Sequence, residues 1–325
     1  MSNRQFNIPN DKNTLLTMPE RRLFLQALSI PALLALLPHD AFAADSNALI
    51  TKPIPSTGEQ LPVIGMGTWI TFNVGRNVDA RNVRTEVLKT FFDLGGKMVD
   101  SSPMYGSAEA VMGYALERLK SQGIKTDESL FSTTKVWTHS DGEVQIADSF
   151  QLWGLDKFDL FQIHNLVNWQ DHLERLQQLK QAGKIRYLGI TTSHGRRHKD
   201  LEQIMQTQPL DFIQLTYNMR YRDAEQRLLP LAKEKGIAVI ANRPLDGGQL
   251  FNQFANKPLP AWAGEIGCTN WAQFFLKFVV SHPAMTCAIP ATSKVAHMKE
   301  NMGAVRGVLP DQAMRTKMLS YIQSL

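Results

Sequence analysis

The chain has 325 residues, of which 43% are hydrophobic and 20% charged, and it carries a formal charge of +5. That composition can bury a large core and suits one barrel or two ordinary domains. The charge is modest and its densest basic run is only Arg196-Arg197-His198-Lys199, so a nucleic-acid partner is not expected.

Residues 1–43 read as an address, not as part of the fold. Arg21-Arg22 precede Leu23, Phe24 and Leu25, an apolar stretch runs from Ala27 to Leu37, and Ala41-Phe42-Ala43 has the small-x-small form of a cleavage site. This order resembles a twin-arginine export signal. The apolar stretch is well short of the ~20 residues a membrane span needs, and Pro31 interrupts it. The expectations are an exported, periplasmic protein with its mature N-terminus near Ala44, the twin-arginine machinery as a partner, and no stable membrane span.

From Ala44 onward the sequence predicts one domain, 44–325. Ile50 to Leu61, with Pro53, Pro55 and Gly58, reads as a hairpin lid. Strand-like runs follow at Val63–Gly67, Met98–Asp100, Leu130–Lys135, Phe158–His164, Ile185–Ile190, Phe212–Leu215, Ala238–Ala241 and Cys287–Pro290. Most are short and nearly continuously apolar, as strands buried on both faces are. Helical periodicity separates them, at Arg81–Leu94, Ser107–Gln122, Gln145–Leu152, His172–Gln181, Lys199–Gln206, Glu225–Lys235 and Thr269–Ser281. An eighth helix is expected at Lys294–Met302 and an extra one from Pro310 to the C-terminus. Eight strands each followed by a helix predict an α/β fold, the (β/α)8 TIM barrel. The helix between Cys268 and Cys287 should hold these two thiols at opposite ends of the barrel, about 20 Å apart and beyond disulfide reach.

Strand ends carry the chemistry. Asp100 closes the second strand, and five residues on come Tyr105-Gly106, with Glu109 opening a helix. Lys135 closes the third strand and His164 the fourth. This constellation resembles the active site of the aldo-keto reductases, and the similarity extends over nearly all of the chain after residue 48. The resemblance implies catalysis by Asp100, Tyr105, Lys135 and His164. A carbonyl reductase needs a hydride donor and an acid. The phenol of Tyr105 would be that acid once a neighbouring Lys135 lowers its pKa towards the working pH, with Asp100 holding Lys135 charged. His164 would orient the substrate oxygen. Trp69, Trp137 and Trp169, each following a strand, are candidate walls of a substrate slot.

The family's cofactor pattern is followed only in part. Thr191-Thr192 stand where members usually show Ser-Asn, and Gln214 matches the glutamine that contacts the nicotinamide carboxamide. Asn242 replaces an aromatic that stacks on the ring. Arg243 and Leu245 follow it as further cofactor candidates, and Asp246-Gly247-Gly248-Gln249-Leu250 resembles the pyrophosphate loop. After the eighth strand the run Ile289–Asn301 resembles the adenosine-phosphate site, with Ala291 and His297 where NADPH-preferring members carry Lys and Arg, and Thr292, Ser293 and Lys294 left to hold a 2′-phosphate. Glu300 and Asn301 match the pair that reads adenine. The resemblance implies NADP(H), with NAD(H) as the alternative, no metal, and a small carbonyl substrate. Two other readings stay open: a Schiff-base aldolase using Lys135, and a non-enzymatic redox-sensing or partner-binding subunit on the same scaffold.

Overall fold

A computed structural model describes residues 48–254 and 256–325. The export signal and the maturation point near Ala44 lie outside these residues. The described chain belongs to one compact unit. It opens with an antiparallel pair, β1 (Thr51–Pro53) and β2 (Gln60–Pro62). Then come β3 (Met66–Gly67), α1 (Val78–Asp93), β4 (Met98–Asp100), α2 (Ala108–Ser121), α3 (Thr126–Ser129) and β5 (Phe131–Val136). The middle of the chain forms α4 (Glu143–Trp153), β6 (Phe158–Ile163), α5 (Trp169–Gln181), β7 (Ile185–Thr191), α6 (His198–Thr207) and β8 (Phe212–Thr216). The last third holds α7 (Leu228–Lys235), β9 (Ala238–Asn242), α8 (Gln249–Phe254), α9 (Trp271–Val280), β10 (Cys287–Ala288), α10 (Val295–Met302) and α11 (Gln312–Ser324).

Strands β3 to β10 form one parallel eight-stranded sheet in sequence order. Bridges Ile64↔Ala288 and Gly67↔Ala291 join its two edges, so the sheet closes into a TIM barrel. The predicted first and last strands shrink to two residues each because they meet at this seam. The predicted helix over Glu225–Lys235 also splits: Asp223–Glu225 is a separate 3-10 turn, and α7 begins at Leu228. Pro230 explains the start, since a residue without an N–H fits a helix only in its first turn.

Alternation along the strands sorts side chains into two cores. Val99, Val136, Phe161, Ile163, Leu188, Ile190, Ile213, Leu215 and Val239 point outward and join the large cluster under the helices. Met98, Phe131, Leu160, Tyr187, Phe212, Ile240 and Cys287 point inward as a second cluster, which Ile54 and Leu61 of the β1–β2 hairpin plug from below. Two residues further along the same strands the inward positions are Asp100, Thr133, Gln162 and Gln214, and two beyond that Lys135 and His164. The barrel lumen is therefore apolar at its floor and polar at its C-terminal mouth, the end where TIM barrels place their active sites. Cys268 and Cys287 are buried and unpaired, with α9 between them.

Candidate active site

Lys135 is fully buried, and its ammonium donates to Asp100 Oδ2 at 2.6 Å and to Ser101 O at 2.7 Å. The other oxygen of Asp100 accepts from the amides of Gln214 at 2.9 Å and Gln162 at 3.3 Å. Four strands thus converge on one carboxylate. Burial lowers the pKa of Lys135, and the Asp100 charge works against that shift. The remaining face of the ammonium lies 5.0 Å from the centroid of the Tyr105 ring.

Tyr105 ends the 3-10 turn Pro103–Tyr105, which Ser102 caps. Its ring meets that of His164 edge-on, 5.6 Å between centroids at 86°. The expected lowering of its pKa does not occur: burial, and then the negative charge of Asp100, push the phenol well above its ordinary value. The physical reason is that the Lys135 charge is already matched by Asp100, which leaves desolvation as the larger effect.

His164 is the mirror case. Burial and the nearby Lys135 charge lower its pKa to about 2, so the imidazole is neutral. Its Nδ1 lies 2.9 Å from Ser102 Oγ. Ser102 is itself fully buried and accepts from Met104 N at 3.2 Å. Its hydroxyl has no other acceptor among the described residues, so it donates to Nδ1, and the ring carries its proton on Nε2.

Above these groups opens a cavity of about 410 Å³. Asp100, Tyr105, His164, Trp69, Thr191, Thr192 and Gln214 line it, as do Asn242, Arg243, Leu245, Gly247, Gly248 and His297. Thr292, Ser293, Lys294, Glu300 and Asn301 lie beyond it on and before α10; Thr292 and Asn301 are buried, Lys294 and Glu300 exposed. Two of the three tryptophans do not reach the wall. Trp137 stands exposed on a turn whose backbone is held by Gln145 at both N and O. Trp169 opens α5 and packs against the outer core instead. Lys135 does not reach the wall either. With its ammonium held by Asp100 and Ser101, it presents no free amine to a carbonyl, which counts against the Schiff-base reading.

Gln162 and Ser102 were not anticipated from the sequence. Gln162 had a signal: it stands on β6 two residues after the inward Leu160 and two before His164, which directly follows the strand, so the period of two turns it inward. Ser102 had none, because its contact with His164 spans 62 residues of chain. Glu109 proves to be an anchor. It accepts from Thr134 at 2.5 Å, Trp153 at 3.1 Å and Ser149 at 3.1 Å, and so pins α2 to β5 and α4.

The profile of the Aldo/keto reductase family matches residues 63–317. The chain belongs to that family. Methylglyoxal reductase YeaE of Escherichia coli is 26% identical over 260 residues, covering 77% of this chain and 88% of its own. Glyoxal reductase of Bacillus subtilis is 28% identical over 250 residues, covering 75% and 83%. An aldo/keto reductase from Klebsiella pneumoniae, solved in complex with NADP and acetate, shares the fold with a TM-score of 0.67 at 24% identity, over 82% of this chain and 93% of that one. The protein is accordingly an NAD(P)H-dependent oxidoreductase of aldehydes.

The residues present fit a dinucleotide. Thr192 Oγ1 and Arg243 Nε, on two cavity-lining residues, are buried and without a partner among the described residues. Gly248, at φ 94°, has nothing within 4 Å of where a Cβ would stand, so its backbone is open to close approach. No His/Cys/Asp/Glu group that could hold a metal occurs among the described residues, and no helix there is long and apolar enough to cross a membrane.

Proposed function

We propose that this aldo/keto reductase reduces aldehydes with NADPH, using Tyr105 as the general acid. The observation that carries the reading is the buried Asp100–Lys135 pair beneath Tyr105, with a neutral His164 edge-on to the phenol at the base of the cavity. When bound, the dinucleotide supplies the hydride that adds to the carbonyl carbon. His164, through Nε2–H, and Tyr105, through its hydroxyl, hold the carbonyl oxygen from two sides. Tyr105 releases its proton to that oxygen as negative charge builds there. Lys135 favours the phenolate left behind, and Asp100, gripped by two glutamine amides, keeps Lys135 in place. A raised phenol pKa keeps Tyr105 protonated across the neutral range, which suits the reducing direction.

Thr191, Thr192 and Gln214 would hold the carboxamide end of the dinucleotide, and Arg243, Leu245, Gly247 and Gly248 its pyrophosphate. Thr292, Ser293, Lys294 and His297 would hold a 2′-phosphate through hydroxyls, one cation and the start of α10, with Glu300 and Asn301 at the adenine. This supports NADP(H) over NAD(H) with modest discrimination. The Arg21-Arg22 motif supports export of the folded protein, processed near Ala44, with cofactor loaded beforehand.

The test is NADPH oxidation by purified protein with small aldehydes. Tyr105→Phe should lower the rate by roughly 10²–10⁴-fold while dinucleotide titration stays unchanged. A variant at near wild-type turnover would remove Tyr105 from the mechanism. Tighter binding of NADH than NADPH would reverse the cofactor preference.

A further inference from the structure

Ser102 is bonded both to His164 and to the turn that carries Tyr105, yet it lines no part of the cavity. It is fully buried, whereas His164 and Tyr105 both reach the cavity wall. Its main chain is pinned on either side. Ser101 N donates to Thr133 O at 3.0 Å, and Ser101 O accepts from Lys135 at 2.7 Å. Tyr105 N donates to Ser102 O at 2.9 Å. The hydroxyl oxygen therefore has a fixed place, and only its proton can choose a direction.

That direction is forced. Met104 N donates to Ser102 Oγ at 3.2 Å, and a backbone N–H cannot reverse its role. The other neighbour of the hydroxyl is His164 Nδ1, at 2.9 Å. Were the ring proton on Nδ1, Ser102 Oγ would accept twice and its own proton would be buried without an acceptor, which is costly. The bonds thus run one way, from Met104 N–H to Ser102 Oγ and from Ser102 Oγ–H to Nδ1. Nε2 keeps the ring proton and has no partner among the described residues.

We infer, on the reductase reading, that Ser102 is a positioning residue: a one-way relay from the Met104 amide through Ser102 fixes the tautomer and ring orientation in which His164 donates to the carbonyl oxygen. Each bond polarises the next, so Nε2–H donates more strongly than an isolated imidazole would. The relay begins in the 3-10 turn that Ser102 caps and Tyr105 ends. One hydroxyl therefore sets the orienting ring against the acid. With Nδ1 occupied, His164 stays a binding group, and Tyr105 alone is left to give up a proton.

Ser102→Ala removes the relay. Ser102→Thr and Ser102→Val test it at constant shape, because these side chains differ only in a hydroxyl against a methyl. The extended backbone of Ser102, φ −168° and ψ 147°, accepts both. In single-turnover NADPH oxidation with the most rapidly reduced small aldehyde, Ser102→Ala and Ser102→Val should slow hydride transfer about 10- to 100-fold. Dinucleotide binding should not change. Ser102→Thr should exceed Ser102→Val by about tenfold.

Nitrogen-15 spectra of the ligand-free protein read the relay without turnover, the His164 signals being those that His164→Gln removes. The proton should sit on Nε2 in wild type and in Ser102→Thr, and the Nδ1 signal should move downfield in Ser102→Ala and Ser102→Val. In a His164→Gln background, Ser102→Ala should change the rate by less than about twofold. A wild-type proton on Nδ1, equal rates for Ser102→Thr and Ser102→Val, or an undiminished further loss in the His164→Gln background each overturns the relay while the reductase reading stands. No NADPH oxidation by wild type with any small aldehyde overturns the reductase reading, and the relay's role in the reaction with it.

Discussion

Two lysines among the described residues are fully buried, and they are held in opposite ways. Lys135, on the third strand of the barrel wall, gives its ammonium to one carboxylate and one carbonyl and turns its remaining face to the Tyr105 ring. Lys277, on α9, donates to three backbone carbonyls, Ile266 O at 2.5 Å, Arg306 O at 2.6 Å and Val308 O at 3.1 Å. Burial lowers the pKa of both. The difference is the partner. A carboxylate matches the charge of Lys135 and, with the Ser101 carbonyl, leaves one donor over on the side of the Tyr105 ring. Three carbonyls use every donor of Lys277 and tie the 3-10 segment Ala261–Ile266 and the 306–308 stretch to α9. Lys52 repeats the second pattern on Val280, His282 and Met285, which holds the floor hairpin to the end of α9. Burial depth therefore does not separate the two lysines; a donor left over beside a charge partner does.

Substitution of each lysine by methionine should separate these roles. Lys135→Met should lose about 10²–10⁴ in turnover and about 3–5 kcal/mol in stability, because Asp100 remains as an unpaired buried charge. Adding Asp100→Asn to Lys135→Met should restore much of that stability, read by urea unfolding, and none of the activity. If the double variant regains turnover, Lys135 is a structural staple like Lys277 and the contrast collapses.

Lys277→Met should cost about 1–3 kcal/mol for each carbonyl left buried without a donor, softened where the segments relax. Its kcat/KM per folded molecule should stay within about twofold of wild type. A drop in kcat without a fall in stability would show that the α9 cage also supports the active site.

The pH dependence sharpens the same contrast. In the proposed mechanism Tyr105 gives its proton to the carbonyl oxygen, which it can do only while protonated, and its pKa is raised. Reduction should therefore run level from neutral pH past pH 10, while alcohol oxidation, which needs the phenolate, should keep climbing over that range. A reduction limb that falls near pH 7 to 8 would show that Lys135 lowers the phenol pKa after all.

A smaller effect concerns acid stability. His164 has a pKa of about 2 and His282 of about 4, both lowered first by burial. Each group is neutral in the folded protein where the unfolded chain, with an ordinary pKa near 6.5, would bind a proton. Their contribution is thus complete above about pH 6.5 and is lost as pH falls towards the folded values, at roughly 1 kcal/mol per pH unit for His164 and less for the half-buried His282. His282→Gln should flatten that slope in urea titrations at pH 4.5 to 6.5, and an unchanged slope would assign the loss to other groups.

Much of the fold and of the site was legible before any tertiary contact was known. Side chains alternate along a strand with a period of two, a property of the backbone alone, and so Asp100, Lys135, His164 and Gln214 share the lumen face with the inward apolar residues Met98, Phe131, Leu160 and Phe212 of the same runs. Asp100, Lys135, His164 and Gln214 follow from that rule, and Gln162 would have followed had the rule been applied one step earlier on β6. The short apolar runs and the helical periodicity between them likewise specify the barrel, since strands buried on both faces need helices outside.

Other features depended on segments distant in sequence. That Trp69 reaches the cavity while Trp137 and Trp169 do not depends on which side of each loop is drawn down, by Gln145 in one case and by the outer core in the other. The upward shift of Tyr105 depends on desolvation against a charge balance, and neither quantity exists until the barrel closes. The carbonyls around Lys277 come from positions 11, 29 and 31 residues away, and an ammonium leaves no pattern in sequence that announces them. Residue type and local period determined which groups face inward; only the closed barrel decided how deeply each is buried, what balances its charge and which of its donors stays free.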